Sequence, residues 1–180
     1  MRIAVYCGSS PSVDPVYLAL GEEMGRLLAA GGHVVVYGGG RVGVMGALSR
    51  GARAAGGRVE GVILDRFLER GLGDPEVASM AVAADMRARK AGLEERAEAH
   101  LVLPGGVGTL DELFEVLALK YLGLNRKRVV LLDPDGFFGP LFDLLERMAA
   151  ERFLLGGWAR LLARASRPEE ALRLLEPGAP

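Results

Sequence analysis

Short apolar runs rich in β-branched residues alternate with amphipathic helical patterns along nearly the whole chain, and that alternation leaves few folds open. The runs at 3–6, 34–37, 59–64, 77–83, 101–103 and 129–132 read as strands, continuous in apolar character as strands buried on both faces are. Between and after them, 16–30, 44–55, 86–97, 110–122 and 138–150 carry helical patterns. The pattern predicts an α/β fold, a Rossmann-like doubly wound parallel sheet with helices on both faces. Gly31-Gly32 and Gly56-Gly57 stand where helices must end before the next strand. With 180 residues and no linker, the chain reads as one domain over 1–180, with 176–180 a frayed tail. The least patterned stretch, 65–75, reads as a mobile loop over whatever the sheet binds. A short helical piece is expected after Gly156-Gly157.

Several partners are excluded by composition. A net charge of −1 attracts neither nucleic acid nor an anionic membrane, so the expected partner is a small molecule. A single cysteine, Cys7, allows no internal disulfide, and no Cys/His cluster has metal-ligand spacing, so no metal is expected. No apolar stretch is long enough to span a bilayer, and Met1 leads directly into a strand pattern without a signal-like segment. The expected location is the cytoplasm.

The most specific motif is Pro104-Gly105-Gly106-Val107-Gly108-Thr109-Leu110-Asp111-Glu112. An apolar run precedes it and an amphipathic run follows, so it reads strand, glycine turn, helix. Such a turn aims backbone N–H groups and the positive end of a helix dipole at one point, where an anion, above all a phosphate, belongs. Thr109 is the only threonine, and P-G-G-x-G-T-x-x-E arises by chance with a probability on the order of 10⁻⁵ in this composition. Thr109 and Glu112 also fit a helix capping box. A cap needs no Pro-Gly-Gly before it, whereas close approach of a ligand to bare backbone does. Two more glycine loops follow the first two strands, Cys7-Gly8-Ser9-Ser10 and Tyr37-Gly38-Gly39-Gly40-Arg41-Val42-Gly43. Ligands of open parallel sheets sit at such strand ends, which makes Gly8, Ser9, Gly39, Gly40 and Gly105 candidate contacts. Gly38, Gly40 and Gly43 also spell G-x-G-x-x-G, with Asp65 downstream as a ribose-binding acid, so NAD or FAD binding stays open. In Met86-Arg87-Ala88-Arg89-Lys90, Arg87 suits a solvated helix face. Arg89 and Lys90 clamp a phosphate or carboxylate only if this helix opens beside the glycine loops.

Together, Tyr37-Gly-Gly-Gly with Gly43 and Met45-Gly46, the Met86-x-x-Arg89-Lys90 box, the Pro104 motif, Asp135-Gly136-Phe137 and Glu151-x-Phe153 resemble the LOG family. These are the cytokinin riboside 5′-monophosphate phosphoribohydrolases, long labelled lysine decarboxylases. The resemblance implies hydrolysis of the N-glycosidic bond of nucleoside 5′-monophosphates such as AMP or N6-modified AMP, without a cofactor, and a role in cytokinin formation. It also implies a homodimer or a higher homo-oligomer. By motif position Arg89 and Glu112 correspond to the catalytic pair, and Met86, Lys90, Gly106, Val107, Gly108, Thr109, Leu110 and Asp111 to ligand contacts. The chain departs from the family pattern at Arg87, Asp111 and Arg128, where His, Glu and Pro are usual. The chemistry is coherent, because cleavage passes through an oxocarbenium-like sugar that a carboxylate stabilises while activating water. A pyridoxal decarboxylase needs a Schiff-base lysine. Of Lys90, Lys120 and Lys127, the last two fall far from the phosphate loop. A non-catalytic carrier of a nucleotide-like cofactor fits the same loops.

Overall fold

A computed structural model describes residues 1–176 and 178. Seven parallel strands form one sheet in the order β4-β3-β2-β1-β5-β6-β7: β1 Arg2–Tyr6, β2 Val34–Tyr37, β3 Val59–Leu64, β4 Ser79–Ala83, β5 Ala99–Val102, β6 Arg128–Leu132 and β7 Ala163–Ala165. The helices are α1 Pro15–Ala30, α2 Gly43–Ala54, α3 Asp65–Glu69, α4 Met86–Arg96, α5 Val107–Tyr121, α6 Gly139–Ala150 and α7 Pro168–Leu175.

Alternation along β1 divides the core. Ile3, Val5 and Cys7 point into a cluster with Met24 and Leu28 of α1, Leu48 of α2 and Leu175 of α7. Ala4 and Tyr6 point into the opposite cluster, with Leu93 of α4, Leu113 and Leu117 of α5 and Phe142 of α6. Each face of the sheet is therefore covered, which is the doubly wound arrangement the alternation predicts. Where α1 crosses α2, a Cβ on Gly25 would lie 2.1 Å from the Leu48 carbonyl oxygen and one on Gly51 2.0 Å from that of Glu22. Only glycine permits that approach.

Three elements differ from the sequence expectation. β7 was not foreseen as a strand; it is three residues long, and it adds to the edge of β6. Residues 65–75 are not a free loop: they hold α3, and Arg41 N–H donates to Leu72 C=O at 3.1 Å while Asp74 N–H donates to Gly39 C=O at 2.9 Å. α5 begins three residues earlier than its apolar pattern. The tail expected at 176–180 falls largely outside the described residues. No helix of the described residues is long and apolar enough to cross a membrane.

Candidate active site at the topological switch

From β1 the chain winds outward to β4 on one side, then returns to β5 and winds outward to β7 on the other. The loops leaving β1 and β5 therefore diverge at neighbouring strand ends, and such a switch opens a crevice. Gly8 N–H donates to Pro104 C=O at 3.2 Å, and Met45 N–H to Gly8 C=O at 3.0 Å, so the three glycine loops are tied together. A Cβ at Gly105 would lie 2.1 Å from Thr109 Oγ1, and one at Gly43, where φ is +63°, would lie 2.6 Å from Ser10 O. These contacts require bare backbone.

The crevice is a cavity of about 910 Å³. At one end are Gly8, Ser9, Gly105, Gly106, Gly108 and Thr109. α5 starts there at Val107, its N-cap is Gly106, and no side chain caps it. Thr109 is thus the third helical residue and Glu112 the sixth, so the capping box does not form. The N–H groups of Val107, Gly108 and Thr109 have no acceptor among the described residues. Gly106, Gly108 and Thr109 line the cavity, and free N–H groups at a helix start with the dipole behind them suit an anion.

Arg89 and Glu112 meet at the cavity's buried floor, 6% and 5% exposed. Arg89 Nη1 donates to Glu112 Oε1 at 2.9 Å, its Nε to Val62 C=O at 3.1 Å and its Nη2 to Gly38 C=O at 3.3 Å. Asp85 caps α4 by accepting from Ala88 N–H at 2.8 Å, which places Arg89 within the first turn. A Cβ at Gly38 would fall 2.2 Å from Arg89 Nη2, so this glycine makes room for the guanidinium. With Gly43 packed on Ser10, close packing accounts for two glycines of the G-x-G-x-x-G spacing. Asp65, the ribose acid of the dinucleotide reading, is exposed at the start of α3 and outside the cavity lining. Burial pushes the Glu112 carboxyl above the usual carboxylate range, against the pull of Arg89.

The rest of the cavity is apolar. Met45 and Val42 lie on one side, Tyr17 and Phe137 at the rim, and Ile63, Phe67 and Leu72 on the side toward 65–75. Tyr17 and Phe137 meet edge to face at 5.5 Å. Phe137 is placed by a turn in which Asp135 and Gly136 have φ of 52° and 76°. Sequence reasoning missed this wall, because its members come from five separate segments. Phe137 carried a local signal in the Asp135-Gly136-Phe137 box, and Val42 and Met45 lay in or beside the second glycine loop, but nothing local marked Tyr17, Ile63, Phe67 or Leu72.

Of the expected site residues, Gly8, Ser9, Gly40, Met86, Arg89, Gly105, Gly106, Gly108, Thr109 and Glu112 line the cavity. Gly39, Lys90, Val107, Leu110 and Asp111 do not. Gly39 backs onto Ile63 and Met80, Leu110 packs against the core, and the Val107 side chain is 85% exposed. Asp111 is adjacent to Glu112 and so projects about 100° around the helix from it. There it pairs with Lys90 at 3.0 Å, and Glu115 does the same. Lys90 lines a separate cavity of about 160 Å³ on the far side of Glu112. No lysine lines the large cavity, and no group of three or more metal-ligating side chains occurs among the described residues.

A family described as possible lysine decarboxylase matches residues 45–175. A cytokinin riboside 5′-monophosphate phosphoribohydrolase of Mycobacterium marinum is 40% identical over 176 residues, 98% of this chain and 94% of that one. A probable enzyme of the same name from Oryza sativa subsp. japonica is 36% identical over 179 residues, 99% of this chain and 73% of that one. Among solved structures, the molybdenum cofactor binding protein of Rippkaea orientalis matches with a TM-score of 0.72 and 27% identity, covering 97% of this chain and 94% of that one.

Proposed function

The chain belongs to the family of the cytokinin riboside 5′-monophosphate phosphoribohydrolases, and from that premise we propose that it hydrolyses nucleoside 5′-monophosphates to free base and ribose 5-phosphate. The observation that carries the reading is the buried Glu112–Arg89 pair beside the unpaired N–H groups that open α5. The 5′-phosphate sits on those N–H groups and on the Gly8-Ser9 loop. This anchors the ribose, so binding energy from the phosphate orients the anomeric carbon toward Glu112. As the C1′–N bond breaks, the Glu112 carboxylate stabilises the developing oxocarbenium charge and takes a proton from the water whose oxygen bonds to C1′, and the departing base nitrogen gains a proton in exchange. Arg89 holds that carboxylate in place and offsets part of the cost of its burial. The base lies between the apolar walls, and Lys90 and Asp111 act outside the cavity as an ion pair joining α4 to α5. The working unit is a homodimer in the cytoplasm.

The label of lysine decarboxylase does not suit this site, since a Schiff base needs a lysine that the cavity lacks. The likeness to a molybdenum cofactor binding protein favours a carrier as the second reading. A carrier of an anionic ligand gains nothing from a buried carboxylate on the cavity floor. Incubation with a panel of nucleoside monophosphates decides between them. Release of free base, lost by at least about a hundredfold in Glu112→Gln, is the expected result. Tight binding without release, or full activity in a folded Glu112→Gln protein, removes the catalytic assignment.

A further inference from the structure

The side of the cavity formed by 65–75 is held in an unusual way. α3 has no buried residue, so hydrophobic packing of that helix does not fix the segment. Yet Phe67 and Leu72 from it line the cavity. Two backbone hydrogen bonds tie it to the loop after β2, Arg41 N–H to Leu72 C=O and Asp74 N–H to Gly39 C=O, which together form the antiparallel bridge between Gly40 and Gly73. Beneath them is the buried carboxylate of Asp74, which does not line the cavity. It accepts from the Ser49 hydroxyl of α2 at 2.6 Å and from the Tyr37 hydroxyl of β2 at 3.3 Å. The Arg53 guanidinium of α2 lies 3.8 Å away and also pairs with Glu76. The other Asp74 oxygen accepts from Glu76 N–H at 3.1 Å. Ser49 and Tyr37 are themselves fully buried. A charged acceptor in a buried polar network sets geometry strongly, because every alternative position leaves buried donors unpaired.

We propose that Asp74 is a positioning residue that pins this wall against β2 and α2, and that the pin sets how tightly the base end of the nucleotide is held. The proposal rests on the nucleotide reading above. Without the pin, the wall occupies its binding position only part of the time, and apparent affinity falls by that fraction. A ligand that touches the wall loses affinity, while a saturating ligand restores the wall and leaves turnover intact. Ribose 5-phosphate has no base and does not reach the wall.

The test compares the unaltered chain with Asp74→Ala, Asp74→Asn and Ser49→Ala. In Asp74→Ala the KM for AMP rises about tenfold or more, the loss expected of a charged hydrogen-bond network. kcat and the inhibition constant of ribose 5-phosphate stay within about twofold, since neither draws on the wall. Asp74→Asn and Ser49→Ala shift the KM the same way by less. Hydrogen exchange speeds up over 65–75 and not at the start of α5. A parallel rise in both constants, a fall in kcat at constant KM, or an unchanged KM in folded variants overturns the proposal. Should Asp74→Ala fail to fold, the two milder variants decide by the same criteria. Should the unaltered chain release no base from any monophosphate, the catalytic reading falls, and calorimetric AMP affinity with exchange over 65–75 still judges the pin.

Discussion

Arg89 directs its guanidinium at a carboxylate and two backbone carbonyls, one within β3 and one just past β2, at once. A lysine ammonium has the charge but not the planar fork that meets Glu112, Val62 and Gly38 together. Arg89→Lys therefore lowers kcat/KM by about 10–100-fold, the worth of one or two charge-assisted hydrogen bonds. Arg87→Lys changes it little, because Arg87 is exposed and off the cavity; equal damage from both would make Arg89 the wrong choice. The pH profile of the unaltered chain carries a second signature. The proposed mechanism needs Glu112 ionised, and burial holds its folded pKa above 4.5, so kcat/KM is expected to fall as pH drops through that raised value. For stability the sign is opposite. Between 4.5 and the raised value the folded state binds the extra proton, so lowering pH across that window stabilises the unaltered chain relative to Glu112→Gln. The pair itself was legible as residue types at motif spacing. Its burial was not, since that depends on the Gly38 turn lying under the guanidinium.

Most strands and helices were legible because periodicity reports burial, and a sheet covered on both faces makes each strand a continuous apolar run. β7 escaped because its middle residue, Arg164, is exposed and it has only three residues. What makes it a strand is tertiary: pairing with β6, Asp133 N–H donating to Ala165 C=O at 2.8 Å, and the Arg164–Asp133 ion pair. The start of α5 was misplaced for the opposite reason. Val107 and Gly108 are helical without being core, so apolar periodicity does not report them. That shift strengthens the phosphate argument, because Thr109 becomes a donor of the first turn rather than its cap. AMP is therefore cleaved with a kcat/KM orders of magnitude above adenosine's, as three or so charge-assisted hydrogen bonds of about 1.5–3 kcal/mol each imply. Inorganic phosphate and ribose 5-phosphate compete with AMP. Equal hydrolysis of adenosine and AMP would show that α5 does not hold the phosphate.

On the outside of the molecule, Val107, Phe114 and Tyr121 recur every seven residues along α5 and form an exposed apolar stripe. It ends near Leu155, whose N–H donates to the Tyr121 hydroxyl at 3.4 Å. Leu122 and Leu124, just past the helix, and Phe153 and Leu155 are exposed as well. An apolar surface of this kind marks an interaction site, and a closed two-fold pair lets the same patch cover itself. The place of this surface could not be read from the sequence, since Phe153 lies in a turn far along the chain from α5. The helix whose first turn is proposed to hold the phosphate thus also carries the proposed interface. Ultracentrifugation at micromolar concentration should give twice the 19.1 kDa chain mass. Paired substitutions Phe114→Glu and Leu124→Glu, both on exposed side chains, should give a folded monomer. Each charge would face its own symmetry mate or an apolar neighbour across the interface, a cost that charged side chains do not bear in water. A fully active monomer from the unaltered chain would rule the dimer out as the working unit, and a dimer that survives both substitutions would place its interface elsewhere.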